Sequence, residues 1–475
     1  MIFMKKSFSL LLLILAASLA QGQNKAGYSV SVSVSGLRDT TLYLAHHFGD
    51  KQYLSDSVFL DSRGAGIFSG TESLPHGIYM IVLPGRKYFE ILISDDQVFS
   101  VTCTYKDFYN TLAFKGSEEN TYFIDYQRKW VAMQQESASI ARRLQANRQN
   151  SDSLKLLGAK QKAIEASKTA YLHKVIDDNQ GNLLAMLVRS MLPVEVPEFE
   201  VPANIRNADS VKWVKKYNYN KDHFFDNLDL TDERLLRTPI LQARLEAFFT
   251  NVVLQSPDSL NPQVAKILKM CEPDHTMYQY ISAYLFNHFR ESEIMGHDGV
   301  LLKIADEVYL SGKADWVTEE FKDKLRKDVE LLRFNQLGMK GQDLVMDSFR
   351  GIFVSLHDIE KDYTILYFWE PNCGHCKEAT PKLKEYYNKP KDYSLEVFAV
   401  CTISDKKLWS NYIEENGLTW INGWDPDRTT HYDYYYNVQS TPIVYILDRN
   451  KKIIAKKIAV EDIEGFLENY RKFFR

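Results

Sequence analysis

From Tyr28 to about Phe114, apolar and polar residues alternate with a period of two. YSVSVSVSG (Tyr28 to Gly36) is the cleanest case, with Val30, Val32 and Val34 on one face. Similar short runs follow at Thr41 to His46, Tyr53 to Leu60, Gly64 to Phe68, Ile78 to Leu83, Tyr88 to Ile93 and Phe99 to Cys103. Turns rich in Gly, Pro, Asp and Ser divide them, which predicts an all-β sandwich. At Gly116 the period lengthens. Glu118 to Ala146 and Ser153 to Asp177 carry apolar residues at three- and four-residue steps, among them Tyr122, Tyr126, Trp130, Met133 and Leu144. The polar run NRQNSDS (Asn147 to Ser153) separates them, so a helical hairpin is predicted. A coiled coil is the rival, but Ser, Ala and Gln interrupt the seam. Beyond a Pro-rich break, MLPVEVPEFEVP (Met191 to Pro202), helices are predicted over Asp209 to Tyr217, Pro239 to Leu254, Pro262 to Met270, Thr276 to Glu291, Gly299 to Tyr309 and Thr318 to Asn335. Asn261 before Pro262 reads as a cap followed by Pro at the first helical position.

The pattern changes again near a linker, Leu337 to Ser348. A buried-strand run, Tyr363 to Phe368, precedes a helical pattern, Lys377 to Tyr387. A strand (Leu395 to Thr402), a helix (Lys406 to Asn416) and a short strand near Trp420 come next. HYDYYYN (His431 to Asn437) predicts a short helix, and Tyr436 to Ile454 a loop and two strands around a tight turn. Strand–helix alternation predicts an α/β domain. The expected organisation is a leader (1–22), a β-sandwich domain (23–115), an all-α helical domain (116–336) and an α/β domain (337–475). A length of 475 residues suits about three cores.

Net charge is −4 with mixed signs, which implies neither nucleic acid nor an anionic surface as partner. Five cysteines are too few for a disulfide scaffold. The chain opens MIFMKKSFSLLLLILAASLAQGQ: Lys5 and Lys6, an apolar run from Phe8 to Ala17, then the small residues Ser18 and Ala20. This predicts a secretory signal peptide cleaved after Ala20 or Gly22. An uncleaved anchor is the alternative, and the run is shorter than the ~20 residues a span needs. No Cys near the cleavage point offers a lipid attachment site, and no later stretch is long and apolar enough to span. The expectation is an exported protein of the periplasm or cell envelope, where a dithiol can work on disulfides.

The candidate chemistry lies in WEPNCGHCKEATP (Trp369 to Pro381). Cys373 and Cys376, separated by Gly374 and His375, fall on the first turn of the predicted helix, close enough to form a small disulfide ring. Free N–H groups and the helix dipole favour an anion there, which stabilises the first thiolate. His375 adds a donor that can carry positive charge. Glu370 is either a proton carrier beside the dithiol or a solvated carboxylate. Haem attachment needs a His directly after the second Cys, where Lys377 stands. Structural zinc needs four ligands, and no second CxxC or HxxxH supplies them. Neither metal nor organic cofactor is expected. Pro381, five residues past Cys376, is expected to kink the helix.

With YNVQSTPIVYILDRNKKII (Tyr436 to Ile454) beside this motif, the last third of the chain resembles the thioredoxin-like family. Trp369, Cys373, Gly374, Cys376, Lys377 and Pro381 match its active-site motif, and Thr441–Pro442 its cis-proline loop. The resemblance implies a thioredoxin-like fold, a cis Pro442 whose loop lies against the dithiol, and a Thr441 backbone that pairs with the substrate chain. The strand and helix between Cys376 and Pro442 resemble the insert of the extracytoplasmic TlpA/ResA-like branch. The β region and the stretch Met295 to Val317 resemble domains of unknown function that precede thioredoxin-like domains in Bacteroidetes; Gly341 and Leu344 resemble the start of such a redox domain. Three positions depart from the pattern. Tyr367 stands where thioredoxin has a buried Asp as proton acceptor, Asn372 replaces an aromatic, and CGHC resembles protein disulfide isomerases. The implied function is thiol–disulfide exchange with protein substrates, with a redox partner that recycles the couple. Reduction is favoured by the family branch, isomerisation or oxidation by CGHC. A thiol peroxidase would need a lone activated Cys, and a non-catalytic adaptor would use the fold only as a scaffold.

Other candidates read as structural. His46 and His47 are adjacent, so they point to opposite strand faces and share no metal. His275, His288 and His297 lack partners at ligand spacing. Cys103, Cys271 and Cys401 end strands or helices and read as buried apolar filler; the alternatives are a third redox thiol at Cys401 and a dithiol partner for Cys271. Tyr432, Tyr434, Tyr435 and Tyr436 are expected in the core, with lining of the substrate approach as the alternative.

Overall fold

The computed structural model describes residues 27–147, 151–202 and 205–473. The expected leader, 1–22, lies outside them. Two compact units are present: residues up to Pro193 with Arg234–Leu241, and Val194–Glu233 with Gln242 onward.

The first unit contains strands β1 (Tyr28–Ser35), β2 (Thr41–Phe48), β3 (Lys51–Phe59), β4 (Ala65–Gly70), β5 (Gly77–Leu83), β6 (Lys87–Ile93), β7 (Val98–Thr104) and β8 (Ala113–Lys115). They form two four-stranded sheets, ordered β4-β1-β7-β8 and β3-β2-β5-β6. The alternation in β1 works as its sequence requires. Val30, Val32 and Val34 face Leu42, Leu44, Tyr79, Ile81 and Ile91 in one core, each buried aliphatic side chain contributing about 1.5–3 kcal/mol. β5 is buried on both faces. Its Ile78, with Leu92 of β6, packs against Phe123, Tyr126, Leu172, Val175, Leu183 and Leu187 of the helices Glu118–Ala146, Ser151–Asp178 and Leu183–Arg189. The helical stretch expected at 116–336 therefore divides between the units, because its first helices cover the outer face of a sheet. Asn120 fastens this layer: its side chain accepts from the Leu92 N–H at 2.7 Å and donates to the Leu92 carbonyl at 2.8 Å.

In the second unit the helix predicted to begin at Pro262 begins at Pro257, and Pro262 lies inside it. Ser256–Pro257 repeats the polar-then-Pro signal five residues earlier. The buried face of Leu260, Val264, Ile267, Leu268 and Cys271 runs through Pro262 without a break. The predicted helices at 239–254 and 299–309 each end in a π-helical turn, Phe248–Val252 and Ala305–Tyr309.

Strands β9 (Val345–Ser348), β10 (Phe353–Ser355), β11 (Tyr363–Trp369), β12 (Leu395–Cys401), β13 (Ile421–Trp424), β14 (Ile443–Asp448) and β15 (Ile453–Lys456) make a seven-stranded sheet, ordered β10-β9-β13-β12-β11-β14-β15. β11, β12 and β13 run parallel, and β14 is antiparallel to β11. This is a thioredoxin-like α/β fold. Helices Gly374–Asn388, Lys406–Asn416 and Ile463–Phe473 accompany it. The tyrosines of 432–436 divide by position. Tyr432 and Tyr436 are buried against Phe368. Tyr434 and Tyr435 pack on Phe334, and Tyr434 donates to Glu330 at 2.6 Å, so both join the preceding helical segment to the sheet.

Candidate active site

β11 is apolar on both faces because the sheet is covered on both sides, and it ends at Trp369 with no exposure. The chain leaves the sheet through Glu370–Asn372 and turns into the helix Gly374–Asn388, whose N-cap is Cys373. A cysteine thus takes the capping position usually filled by Ser, Thr or Asp. Its Sγ accepts from the Cys376 N–H at 3.4 Å. On its other side it lies 3.3 Å from the Thr441 carbonyl, to which the thiol can donate. Thr441–Pro442 is cis, and its loop lies against the dithiol.

The two thiols differ sharply in environment. Cys373 is half-buried and Cys376 has no exposure. Partial burial works against a Cys373 thiolate, yet the Cys376 thiol and N–H, the Thr441 side chain and the His375 N–H outweigh it and hold the pKa below the usual thiol range. For Cys376 burial dominates, a neighbouring Cys373 adds to it, and the pKa is raised. The site thus favours a thiolate at Cys373 and a protonated thiol at Cys376.

The remaining predicted residues divide by role. Gly374 is exposed at the first turn of the helix, directly after Cys373. His375 exposes its ring and contributes its backbone N–H. Trp369 is buried against Tyr412, ring centroids 5.1 Å apart, and its Nε1 has no hydrogen-bond partner. Glu370 is half-buried; its carboxylate accepts from Thr402 Oγ1 at 2.7 Å, and its carbonyl from the Cys373 N–H at 3.4 Å. Cys401 pairs in register with Trp369, and burial raises its pKa to about 12. Among the described residues no group of three His, Cys, Asp or Glu side chains could hold a metal.

Sequence reasoning passed over Thr380, Thr402 and Tyr412. The signal for Thr380 was present: it follows Cys376 by four residues and shares its helix face. Thr402, just past β12, and Tyr412, on the inserted helix, meet Glu370 and Trp369 only through the fold.

Residues 337–456 match the AhpC/TSA family, and residues 131–335 match a domain of unknown function, DUF5106. The thiol-disulfide oxidoreductase ResA of Bacillus cereus is 24% identical over 136 residues, 28% of this chain and 78% of that one. A domain of a possible thiol-disulfide isomerase from Cytophaga hutchinsonii is 36% identical, covering 29% of this chain and 94% of that one, with a TM-score of 0.28. The thioredoxin domain of a thiol-disulfide oxidoreductase from Bacteroides vulgatus is 26% identical, covering 28% and 96%, with a TM-score of 0.27. Residues 337–456 thus form an AhpC/TSA-type, thioredoxin-like domain, and this part of the chain is similar to thiol-disulfide oxidoreductases.

Proposed function

We propose that this protein is an exported thiol-disulfide oxidoreductase that exchanges disulfides with protein thiols through Cys373 and Cys376. The observation that carries the reading is the asymmetry of the pair: a half-exposed, thiolate-favouring Cys373 at a helix N-cap above a buried, protonated Cys376. The Cys373 thiolate attacks one sulfur of a substrate disulfide, that S–S bond breaks, and the other substrate sulfur leaves as a thiolate. Cys376 then loses its proton, its sulfur attacks Cys373 Sγ, and the mixed disulfide breaks. The dithiol has given two electrons and the substrate disulfide has received them; the reverse sequence oxidises a substrate. Thr441 and Pro442 border Cys373 and are assigned to holding the substrate chain. His375 and Glu370 are assigned to tuning the couple, Glu370 from its seat on Thr402. A redox partner must recycle it.

Hydrogen bonds that favour the Cys373 thiolate favour the reduced form, which makes the disulfide a better oxidant. This supports the isomerase or oxidant direction over the reductant one. The test is a titration of the couple against glutathione buffers, scoring alkylated thiols with Cys376→Ser as control. A potential near about −180 to −120 mV supports this direction, and one below roughly −250 mV makes the protein a reductant. Absence of a reversible couple would overturn the catalytic reading and leave an adaptor built on the fold.

A further inference from the structure

The loop that borders Cys373 is held from behind by the helical segment. Thr441, its carbonyl 3.3 Å from Cys373 Sγ, follows the short helix Tyr432–Tyr435 closely in the chain. Most of the residues between them are fixed. Tyr436 Oη donates to the Gln342 carbonyl, and the Tyr436 carbonyl accepts from Tyr445 Oη, each at 2.5 Å. Asn437 is buried, and the Val438 N–H donates to the Asp433 carbonyl at 3.0 Å. Gln439 and Ser440 alone are exposed, so the placement of the short helix passes to Thr441 through two residues. That helix is in turn gripped by a row of side chains. Glu330, which ends the helix Glu319–Glu330, accepts from Tyr434 Oη at 2.6 Å through one carboxylate oxygen. Its other oxygen accepts from Arg333 Nε at 3.0 Å. Both oxygens of Asp306, on the π-helical turn Ala305–Tyr309, hold the Arg333 guanidinium at 2.7 and 2.8 Å. Asn335 Nδ2 adds a bond to the Tyr435 carbonyl at 3.1 Å. A forked Arg–carboxylate pair fixes direction as well as distance, so Glu330 meets Tyr434 in a set orientation.

We propose that Glu330, braced by Arg333, is a positioning residue for the substrate-holding loop: through Tyr434 it sets where Thr441 stands beside Cys373. The proposal rests on the exchange reading above. It gives the end of the helical segment a part in recognising a polypeptide substrate, separate from the thiol chemistry. A substrate chain that pairs with the Thr441 backbone needs donor and acceptor aligned within the narrow limits of a hydrogen bond. A loop free to drift through its two exposed residues would meet that need only part of the time, and binding would weaken accordingly. A small disulfide has no chain to pair. It needs only the half-exposed mouth at Cys373, which the helix Gly374–Asn388 sets without help from Glu330.

The test uses the reduced full chain and two thionitrobenzoate disulfides: the small aromatic disulfide DTNB, and an extended peptide whose central cysteine carries one thionitrobenzoate. In each case the Cys373 sulfur bonds to a substrate sulfur, the S–S bond breaks, and coloured thionitrobenzoate leaves with the electron pair. Tyr434→Phe, which keeps the ring on Phe334, and Glu330→Ala are each expected to raise the half-saturating peptide concentration about fivefold or more. The limiting rate with peptide and the rate with DTNB are expected to stay at wild-type values. The double variant is expected to be no worse than either alone, because both remove one contact. Glu330→Gln, which still offers Tyr434 an acceptor, is expected to stay close to the wild type. A wild-type half-saturating concentration in both Tyr434→Phe and Glu330→Ala would overturn the proposal. So would a loss shared equally by peptide and DTNB without rescue by Gln, which is the mark of a structural role. If the wild-type protein released thionitrobenzoate from neither disulfide, the exchange reading itself would fall, and this one with it.

Discussion

Cys373 Sγ sits between the Cys376 N–H, 3.4 Å away, and the Thr441 carbonyl, 3.3 Å away. The first contact stabilises a thiolate, and the second gives the protonated thiol a place to donate. The thiol is thus held in one position through both protonation states, at the half-exposed mouth of the site.

Alkylation should read this asymmetry directly. In the native reduced protein, iodoacetamide is expected to modify Cys373 first, with a pH midpoint below the ~8.5 of a free cysteine. Burial raises Cys103 to about 11, and Cys271 and Cys401 to about 12. These three are expected to label only on denaturation. Mass spectrometry of tryptic peptides after a short pulse checks this, and early labelling of Cys401 would reopen its reading as a third redox thiol.

In the first unit, Asn120→Ala is expected to leave the Leu92 N–H and carbonyl, both paired by that side chain, without partners. Asn120 is 1% exposed, so water cannot replace it without opening the layer. The expected cost is about 1–3 kcal/mol for each orphaned group. Urea unfolding followed by tryptophan fluorescence measures it. A change below a few tenths would mean that the helices do not hold the sheet through this residue.

The strands and the dithiol were legible because their signals are local. Alternation in β1 and the spacing of Cys373 and Cys376 need no tertiary information. Helix periodicity at Glu118–Ala146 gave the element to the residue, but not its allegiance, since an apolar stripe fits a sheet as well as another helix. Pro262 misled for a similar reason: a cap-like Asn before Pro is a local signal, and the burial of Leu260 and Val264 on one continuous face overrode it. Thr402 and Tyr412 had no local signature, because their roles arise only when β12 and the inserted helix come beside β11.

His297 gives the second unit a sensitivity to acid. It is 1% exposed, accepts or donates to Ser292 Oγ through Nδ1 at 2.8 Å, packs on Phe289, and leaves Nε2 unpartnered. Burial lowers its pKa, as does the nearby His288, against a smaller opposite pull from Asp298. A folded pKa below the unfolded ~6.5 means that the unfolded chain binds the proton more readily. The stabilisation is full above that value and is lost as pH falls through the folded pKa. Thermal unfolding between about pH 7.5 and 5.5, one unit either side of that reference, should show a falling midpoint that His297→Gln makes shallower. His288 is lowered by burial as well, so the variant should flatten the slope in part. An unchanged slope would remove His297 as its source.

Lys456 offers the sharpest test of how the helical segment and the thioredoxin-like domain are joined. It stands on β15 with a side chain 4% exposed, paired with Asp298, and donates to the Asn335 carbonyl and Oδ1 at 2.9 and 3.2 Å. Burial lowers its pKa while Asp298 pulls the other way, so the ammonium is kept charged only by the partners that surround it. Lys456→Met is therefore expected to cost about 3–5 kcal/mol, since it strands Asp298 and the Asn335 acceptors. Asp298→Leu should cost a similar amount by leaving the ammonium unpaired. The double variant should be less destabilised than the sum, because a matched apolar pair removes both desolvation penalties at once. Denaturation of all four proteins closes the cycle. Additive losses would mean that the pair is not coupled, and that packing around Phe334, Tyr434 and Tyr435 alone joins the two parts.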